Sequence, residues 1–492
     1  MKTKAIRRCF FAGLLLALPA AAASAEPSCK VHPTVATAET LILPTGDLHY
    51  EAGWTQLAIK NGRGVPQGTI SATTYRLRNT GDNPRPIIFG FNGGPGASAS
   101  GLNFGLFGPK LKVFDNGQPK LIDNVDTLLG EADLVMIDTP GSGFNCELRR
   151  GGNEYFYTAP SDARAVETFI RKWLSDNGRT GSPIFIVGES YGGYRLAVMA
   201  SSLVGLNVKG AILISPALDL TDQPGSSGTP DNHYIFAFPV MAAAAAYHGR
   251  TDMGGKTISE IFVAARTFAE KPLLTALHLG SRLPETERDR LAQDMSELIG
   301  LPAERIKTSN LRIDPQYFLD KLLADRVVGR TDTRISGPAR KDALIAGRSR
   351  AADDPALGIG DSNIMADTLT GDYLRSLGVK IDRPYIGLNL NMNLNLDWAF
   401  GSRKIEDTVR LNPTPRLGDL FKMQPSFRLL LVSGYYDMTT PVLAQQYALT
   451  HAGLPADRMQ FLTLPGPHAV HADRETRPKV IDAIRGLILS QK

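Results

Sequence analysis

Ile184-Phe185-Ile186-Val187-Gly188-Glu189-Ser190-Tyr191-Gly192-Gly193-Tyr194 joins two kinds of sequence in eleven residues. The opening apolar, mostly β-branched run predicts a short buried strand, and Tyr194–Leu203 reads as a helix. Between them Gly188, Ser190 and Gly192 form G-x-S-x-G. A serine at such a strand-to-helix turn adopts a strained backbone, and a bulky neighbour on either side would collide with strand or helix. The strain lifts the hydroxyl off the sheet, where a base can reach it. The plain alternative is a Gly-rich turn in which Ser190 caps the helix; the strand and helix on either side favour the nucleophile.

Working outward, the same signature recurs. Ile87–Phe91, Asp133–Ile137, Pro183–Val187, Val208–Ile214, Arg428–Val432 and Met459–Leu464 are brief, nearly continuous apolar runs ending near Gly, Pro, Ser or Asp. Strands buried on both faces of a parallel sheet look like this. Helical stretches such as Ser161–Trp173 lie between them, and the alternation predicts a mostly parallel, doubly wound α/β sheet. It breaks between about Asp219 and Tyr385. That stretch opens with a Gly/Ser/Pro-rich linker, Gln223–Pro230, and continues with helix-like segments: Ile258–Glu270, Glu285–Leu298 and Pro315–Leu323. It reads as a mainly helical cap, which divides the core into residues 26–218 and 386–492. Its apolar run Tyr234–Tyr247, interrupted by Pro239, is too short to cross a bilayer and reads as core. Gly255-Lys256-Thr257 imitates the end of a phosphate-binding loop, but Gly249 has the wrong spacing and no strand leads in.

A serine hydroxyl is a poor nucleophile until a histidine takes its proton, and an acid must orient that histidine. In a nucleophile-elbow fold the acid follows the serine and the histidine comes last. Strand Arg428–Val432 ends in Ser433-Gly434-Tyr435-Tyr436-Asp437, which makes Asp437 the candidate acid. After the last strand come His468, directly behind Gly466-Pro467, and His471; His468 is the expected base and His471 the alternative. The two are no zinc pair, since no glutamate follows His468 and the segment lacks helical character. No metal or cofactor is expected.

The first 25 residues follow another design. Lys2, Lys4, Arg7 and Arg8 precede an apolar run, Cys9–Ala22, and Ala23-Ser24-Ala25 closes it with small residues. A cleaved signal peptide is expected, with export to the periplasm or the medium and no membrane anchor afterwards. The 54 basic and 49 acidic side chains give a net charge of +5. Removing those four basic residues leaves a net charge near +1, too balanced for nucleic-acid binding. With Cys9 gone, Cys29 and Cys146 remain, and a disulfide between them is left open by the sequence. So is the oligomeric state.

Phe91-Asn92-Gly93-Gly94-Pro95-Gly96-Ala97-Ser98 directly follows a strand, in the loop that supplies half of an oxyanion hole in the α/β-hydrolase fold. With Gly188–Gly193 it closely resembles the serine carboxypeptidase family. Asp138-Thr139-Pro140-Gly141-Ser142-Gly143-Phe144, Ser433–Asp437 and Gly466-Pro467-His468 also resemble that family's segments, in its order, from roughly Tyr50 to the C-terminus. The resemblance implies an α/β-hydrolase fold and a Ser190–Asp437–His468 triad. It implies an oxyanion hole at the Gly94 and Tyr191 N–H groups, and substrate-carboxylate binding by Asn92, Gly93 and Glu189. A carboxyl side chain bonds a substrate carboxylate only while one of them keeps a proton. The implied partners are peptides with a free C-terminus. Three departures stand out: Gly90 where many members have Trp, Ala97 where Cys is usual, and Pro467 where Gly normally precedes the histidine.

The expected activity is removal of a C-terminal amino acid through an acyl-enzyme on Ser190. Ester hydrolysis or acyl transfer by the same triad is the alternative. A prolyl aminopeptidase would typically have His at Asn92. A non-catalytic binding protein would be expected to have lost a triad member.

Overall fold

The computed structural model describes residues 29–78, 84–156, 158–221, 230–252, 254–338, 353–359, 362–392 and 411–491. The expected signal peptide and most of the Gln223–Pro230 linker lie outside the described residues.

A nine-stranded sheet organises the chain. Its strands are β1 (Val35–Leu41), β2 (Leu48–Lys60), β3 (Pro66–Leu77), β4 (Ile87–Phe91), β5 (Asp133–Asp138), β6 (Ile184–Glu189), β7 (Val208–Ile214), β8 (Arg428–Gly434) and β9 (Met459–Leu464). The spatial order is β1-β2-β3-β5-β4-β6-β7-β8-β9. β1, β2 and β3 pair antiparallel, as do β3 and β5. From β5 to β9 every pairing is parallel. An antiparallel ribbon feeding a parallel sheet, with β5 crossing between β3 and β4, is the α/β-hydrolase fold.

Strand residues alternate between two cores, as the period of two requires. Ile87, Phe89, Ile184, Ile186, Leu429 and Leu431 face one layer, where helix Ala159–Asp176 contributes Phe169, Ile170 and Trp173. Ile88, Phe185, Val187, Leu430 and Val432 face the other, covered by helix Arg477–Leu489. Both faces of β4, β6 and β8 are thus dry along nearly their whole length, and their sequences read as continuous apolar runs.

Between β7 and β8 the described residues include helices Asp231–Tyr247, Ile258–Phe268, Glu285–Ile299 and Pro315–Lys321. Asp231–Tyr247 runs through Pro239 without a break, and its Ile235–Ala246 stretch is buried throughout. The sequence reading of an interruption at Pro239 is therefore corrected: packing on all sides holds the helix together despite the lost hydrogen bond. Thr257, in the false phosphate-loop motif, caps Ile258–Phe268 through a capping box with Glu260. These helices share one apolar cluster with Met438 and Leu443, which seats them against the loop that follows β8.

Cys29 and Cys146 form a disulfide with their Cα atoms 6.1 Å apart. No helix among the described residues is long and apolar enough to cross a membrane.

Candidate active site

β6 delivers Ser190 at the carboxyl edge of the sheet, the edge where ligands bind in open α/β folds. Ser190 has φ +57° and ψ −126°, a conformation that costs about 1–3 kcal/mol for a residue with a side chain. The turn is held by backbone bonds: Ser190 N–H donates to the Ile214 carbonyl at 3.0 Å, and Ala217 N–H donates to the Ser190 carbonyl at 3.0 Å. Gly188 is required by close approach, because a Cβ there would lie 2.5 Å from the Gly192 carbonyl oxygen. Tyr191 opens the helix Tyr191–Met199, where first-turn N–H groups lie outside the helix's own ladder.

The loop after β4 presses against this elbow. A Cβ on Gly93 would lie 2.5 Å from the Tyr191 nitrogen and 2.8 Å from the Ser190 Cβ. The Gly93 backbone and the start of the helix therefore sit in contact. Two buried struts hold the loop. Arg195, fully buried, donates to the Asn92 carbonyl at 2.7 Å and to Asp162 Oδ2 at 2.7 Å. Asp138 accepts from Ala99 N–H at 2.9 Å and from the Tyr385 hydroxyl at 2.8 Å. Burial pushes the Asp138 carboxyl up to about 7, against the hydrogen bonds from Ala99 and Tyr385 that favour its ionised form.

Asp437 lies on the loop after β8 and is fully buried. Its Oδ1 accepts from the N–H groups of Thr439 and Thr440 at 2.8 and 3.0 Å. Its Oδ2 lies 2.7 Å from His468 Nδ1. The Thr440 hydroxyl is 2.6 Å from Oδ2 and 3.0 Å from the Ser215 carbonyl, so its single proton serves one of them at a time. With Nδ1 donating to Asp437, Nε2 of a neutral His468 is left as the acceptor, the tautomer a general base needs. Burial lowers the His468 pKa, but the charge and hydrogen bond of Asp437 outweigh it, helped by the charges of Glu189 and Asp354. The result is a value above the ordinary 6.5.

The histidine loop is stitched in place despite Pro467. Tyr435 N–H donates to Leu464 O and Tyr436 N–H to Gly466 O, both at 3.0 Å, and His468 N–H donates to Thr331 O at 2.7 Å. His468, not His471, meets Asp437. His471 instead faces Glu189, with Nε2 3.9 Å from Oε2.

Beside Ser190, Glu189 Oε2 accepts a hydrogen bond from Asn92 Nδ2, and both residues are buried. At Gly90 a Cβ would meet Met136 Sδ at 3.0 Å, so the methionine side chain packs closely against this glycine. Among the described residues no cluster of three or more His, Cys, Asp or Glu side chains is placed to hold a metal.

Sequence reasoning brought forward Asn92, Gly93, Gly94, Glu189, Ser190, Tyr191, Asp437 and His468, and missed Arg195, Asp162, Tyr385 and Thr440. The first two carried the signal of opposite charges within stretches predicted as helical. Tyr385 and Thr440 carried none.

The serine carboxypeptidase family model matches residues 74–222, which hold the Asn92–Ser98, Asp138–Phe144 and Gly188–Gly193 segments. Serine carboxypeptidase-like 51 of Arabidopsis thaliana is 38% identical over 144 residues, 28% of this chain and 28% of that protein. The pheromone-processing carboxypeptidase kex1 of Sclerotinia sclerotiorum is 27% identical over 145 residues, 29% of this chain and 22% of that protein. The matches thus span less than a third of these relatives' length. Among solved structures, a peroxisomal alpha-beta-hydrolase of Saccharomyces cerevisiae aligns over 90% of each chain, with a TM-score of 0.41 and 11% identity. Over residues 74–222, and through these relatives, the chain is similar to the serine carboxypeptidase family.

Proposed function

We propose that this protein is a serine carboxypeptidase that hydrolyses the C-terminal peptide bond of peptides through an acyl-enzyme on Ser190. The observation that carries the reading is the buried Asn92–Glu189 pair, hydrogen-bonded and immediately beside the strained Ser190. A polar, partly acidic pair adjoining a nucleophile suits a substrate whose carboxylate ends one residue beyond the scissile bond.

In this mechanism Ser190 Oγ attacks the scissile carbonyl while His468 Nε2 takes its proton. Asp437 keeps the imidazole in the right tautomer and stabilises the imidazolium. The Gly94 and Tyr191 N–H groups receive the oxyanion, each worth about 3–4 kcal/mol by analogy with other hydrolases. His468 then protonates the departing amino group, the C–N bond breaks, and the free amino acid leaves. Water, deprotonated by His468, releases the shortened peptide and restores Ser190. Asn92, Glu189 and the Gly93 N–H hold the substrate's carboxylate. The helical segment 219–385 acts as a cap over residues 26–218 and 386–492. The basic, apolar first 25 residues and the Cys29–Cys146 disulfide support export to an oxidising compartment, the periplasm or the medium.

One observation favours a second reading, ester hydrolysis or acyl transfer by the same triad: Met136 against Gly90 leaves no tryptophan to complete the carboxylate network. Rates on a small panel of N-blocked dipeptides and their matching esters decide between them. Peptide turnover comparable with ester turnover supports the carboxypeptidase, and ester turnover alone overturns it.

A further inference from the structure

His471 is 1% exposed, and neither ring nitrogen hydrogen-bonds a protein group among the described residues. Buried polar groups in native proteins nearly always find partners, so an imidazole in this position calls for a role. Its Nε2 lies 3.9 Å from Glu189 Oε2, the oxygen that accepts from Asn92 Nδ2. The ring fits because residue 105 is glycine: a Cβ there would lie 3.4 Å from the ring Cδ2 and 3.5 Å from Nε2. Neighbouring charged groups point elsewhere. Asp473 pairs with Arg334 at 2.8 Å, Arg477 with Asp126 at 3.0 Å, and His468 with Asp437 at 2.7 Å. Glu189 is the charge that His471 faces.

An ionised Glu189 would repel an incoming carboxylate, because like charges disfavour joint ionisation. A cation beside Glu189 removes the conflict, and an imidazolium offers two N–H donors as well. We infer that His471 is the specificity-determining cation of this site: its imidazolium offsets Glu189 and, together with the Asn92 amide, receives the free C-terminal carboxylate of a peptide. The inference rests on the carboxypeptidase reading. It gives the pocket a proton carrier that neither Glu189 nor the substrate has to supply.

The test compares an N-blocked dipeptide with its C-terminal amide in wild type and His471→Gln, which keeps an amide donor but carries no charge. The expected result is a KM for the free acid raised roughly 10-fold or more, with kcat within about 3-fold, the pattern of lost ground-state binding. The amide's KM stays within about 2-fold. An unchanged amide rate shows that the variant is folded. If it melts early, His471→Phe, of similar bulk, repeats the comparison. Equal changes for both substrates, or a collapse of kcat, overturn the inference. A wild type that prefers the acid, with a variant that keeps that preference, overturns this inference alone. A wild type indifferent to the carboxylate overturns the carboxypeptidase reading and the inference with it.

Discussion

His468 Nδ1 and Asp437 Oδ2 lie 2.7 Å apart, and the Asp437 carboxylate is otherwise held by the Thr439 and Thr440 N–H groups and the Thr440 hydroxyl. An aspartate anchored by its own loop holds the imidazole without wandering. The charge-assisted bond also raises the His468 pKa above 6.5.

A raised value keeps the proton on His468 to higher pH than on a free histidine. The neutral base is therefore lost as pH falls through that raised value, so the acid limb of kcat/KM lies above 6.5. Asp437→Asn removes both the charge and the proper acceptor: kcat falls about 10⁴-fold and the limb moves to lower pH. Rate profiles from pH 5 to 9 check this. A wild-type limb below 6.5 would refute the assigned pair.

Gly93→Ala forces a methyl against the Tyr191 nitrogen and the Ser190 Cβ, 2.5 and 2.8 Å from the ideal position. Pushing the loop away displaces one oxyanion donor from the other. We expect a loss of about 10²-fold or more in kcat, whereas Gly181→Ala, with open space around its Cβ position, leaves the rate unchanged. Equal rates for the two variants would show that this contact has no part in catalysis.

Asp138 titrates at about 7 in the folded chain, raised from 3.8. The folded state therefore holds this proton more tightly than the unfolded state, and stability contributed by the group is lost as pH climbs between those two values. Asp138→Asn keeps an oxygen acceptor for Ala99 and Tyr385 without the charge. Relative to that variant, wild type loses stability on the order of a few kcal/mol between pH 4 and 7.5. Denaturant melts across that range measure the difference, and parallel curves would show Asp138 to be ionised throughout.

The parallel half of the sheet was legible in the sequence because its inner strands are dry on both faces: β4 and β7 were read to the residue, and so was the partly exposed edge strand β9, whose residues are still mostly apolar. The antiparallel half was not. β3 is buried along most of its length, yet Thr69, Ser71, Thr73 and Thr74 provide much of that burial, so no apolar run marks it. β1 alternates in exposure but draws on Ala and Thr, which leave little contrast between its faces. In the site, the serine, the acid and the expected histidine each sat at a strand end that periodicity could locate. The Arg195–Asp162 and Asp138–Tyr385 struts did not, since the second joins residues 247 apart. Only the fold reveals such pairings. The role of His471 was hidden for the same reason: its neighbour Glu189 comes from another strand's end.

The central claim is that Ser190 is the nucleophile, and covalent labelling tests it most directly. A fluorophosphonate reagent followed by peptide mass spectrometry should give one label per chain, on Ser190, with activity lost in proportion. Ser190→Ala should fold, take no label, and turn over roughly 10⁴–10⁶-fold more slowly. Label on another residue, or unchanged turnover in Ser190→Ala, would contradict the account.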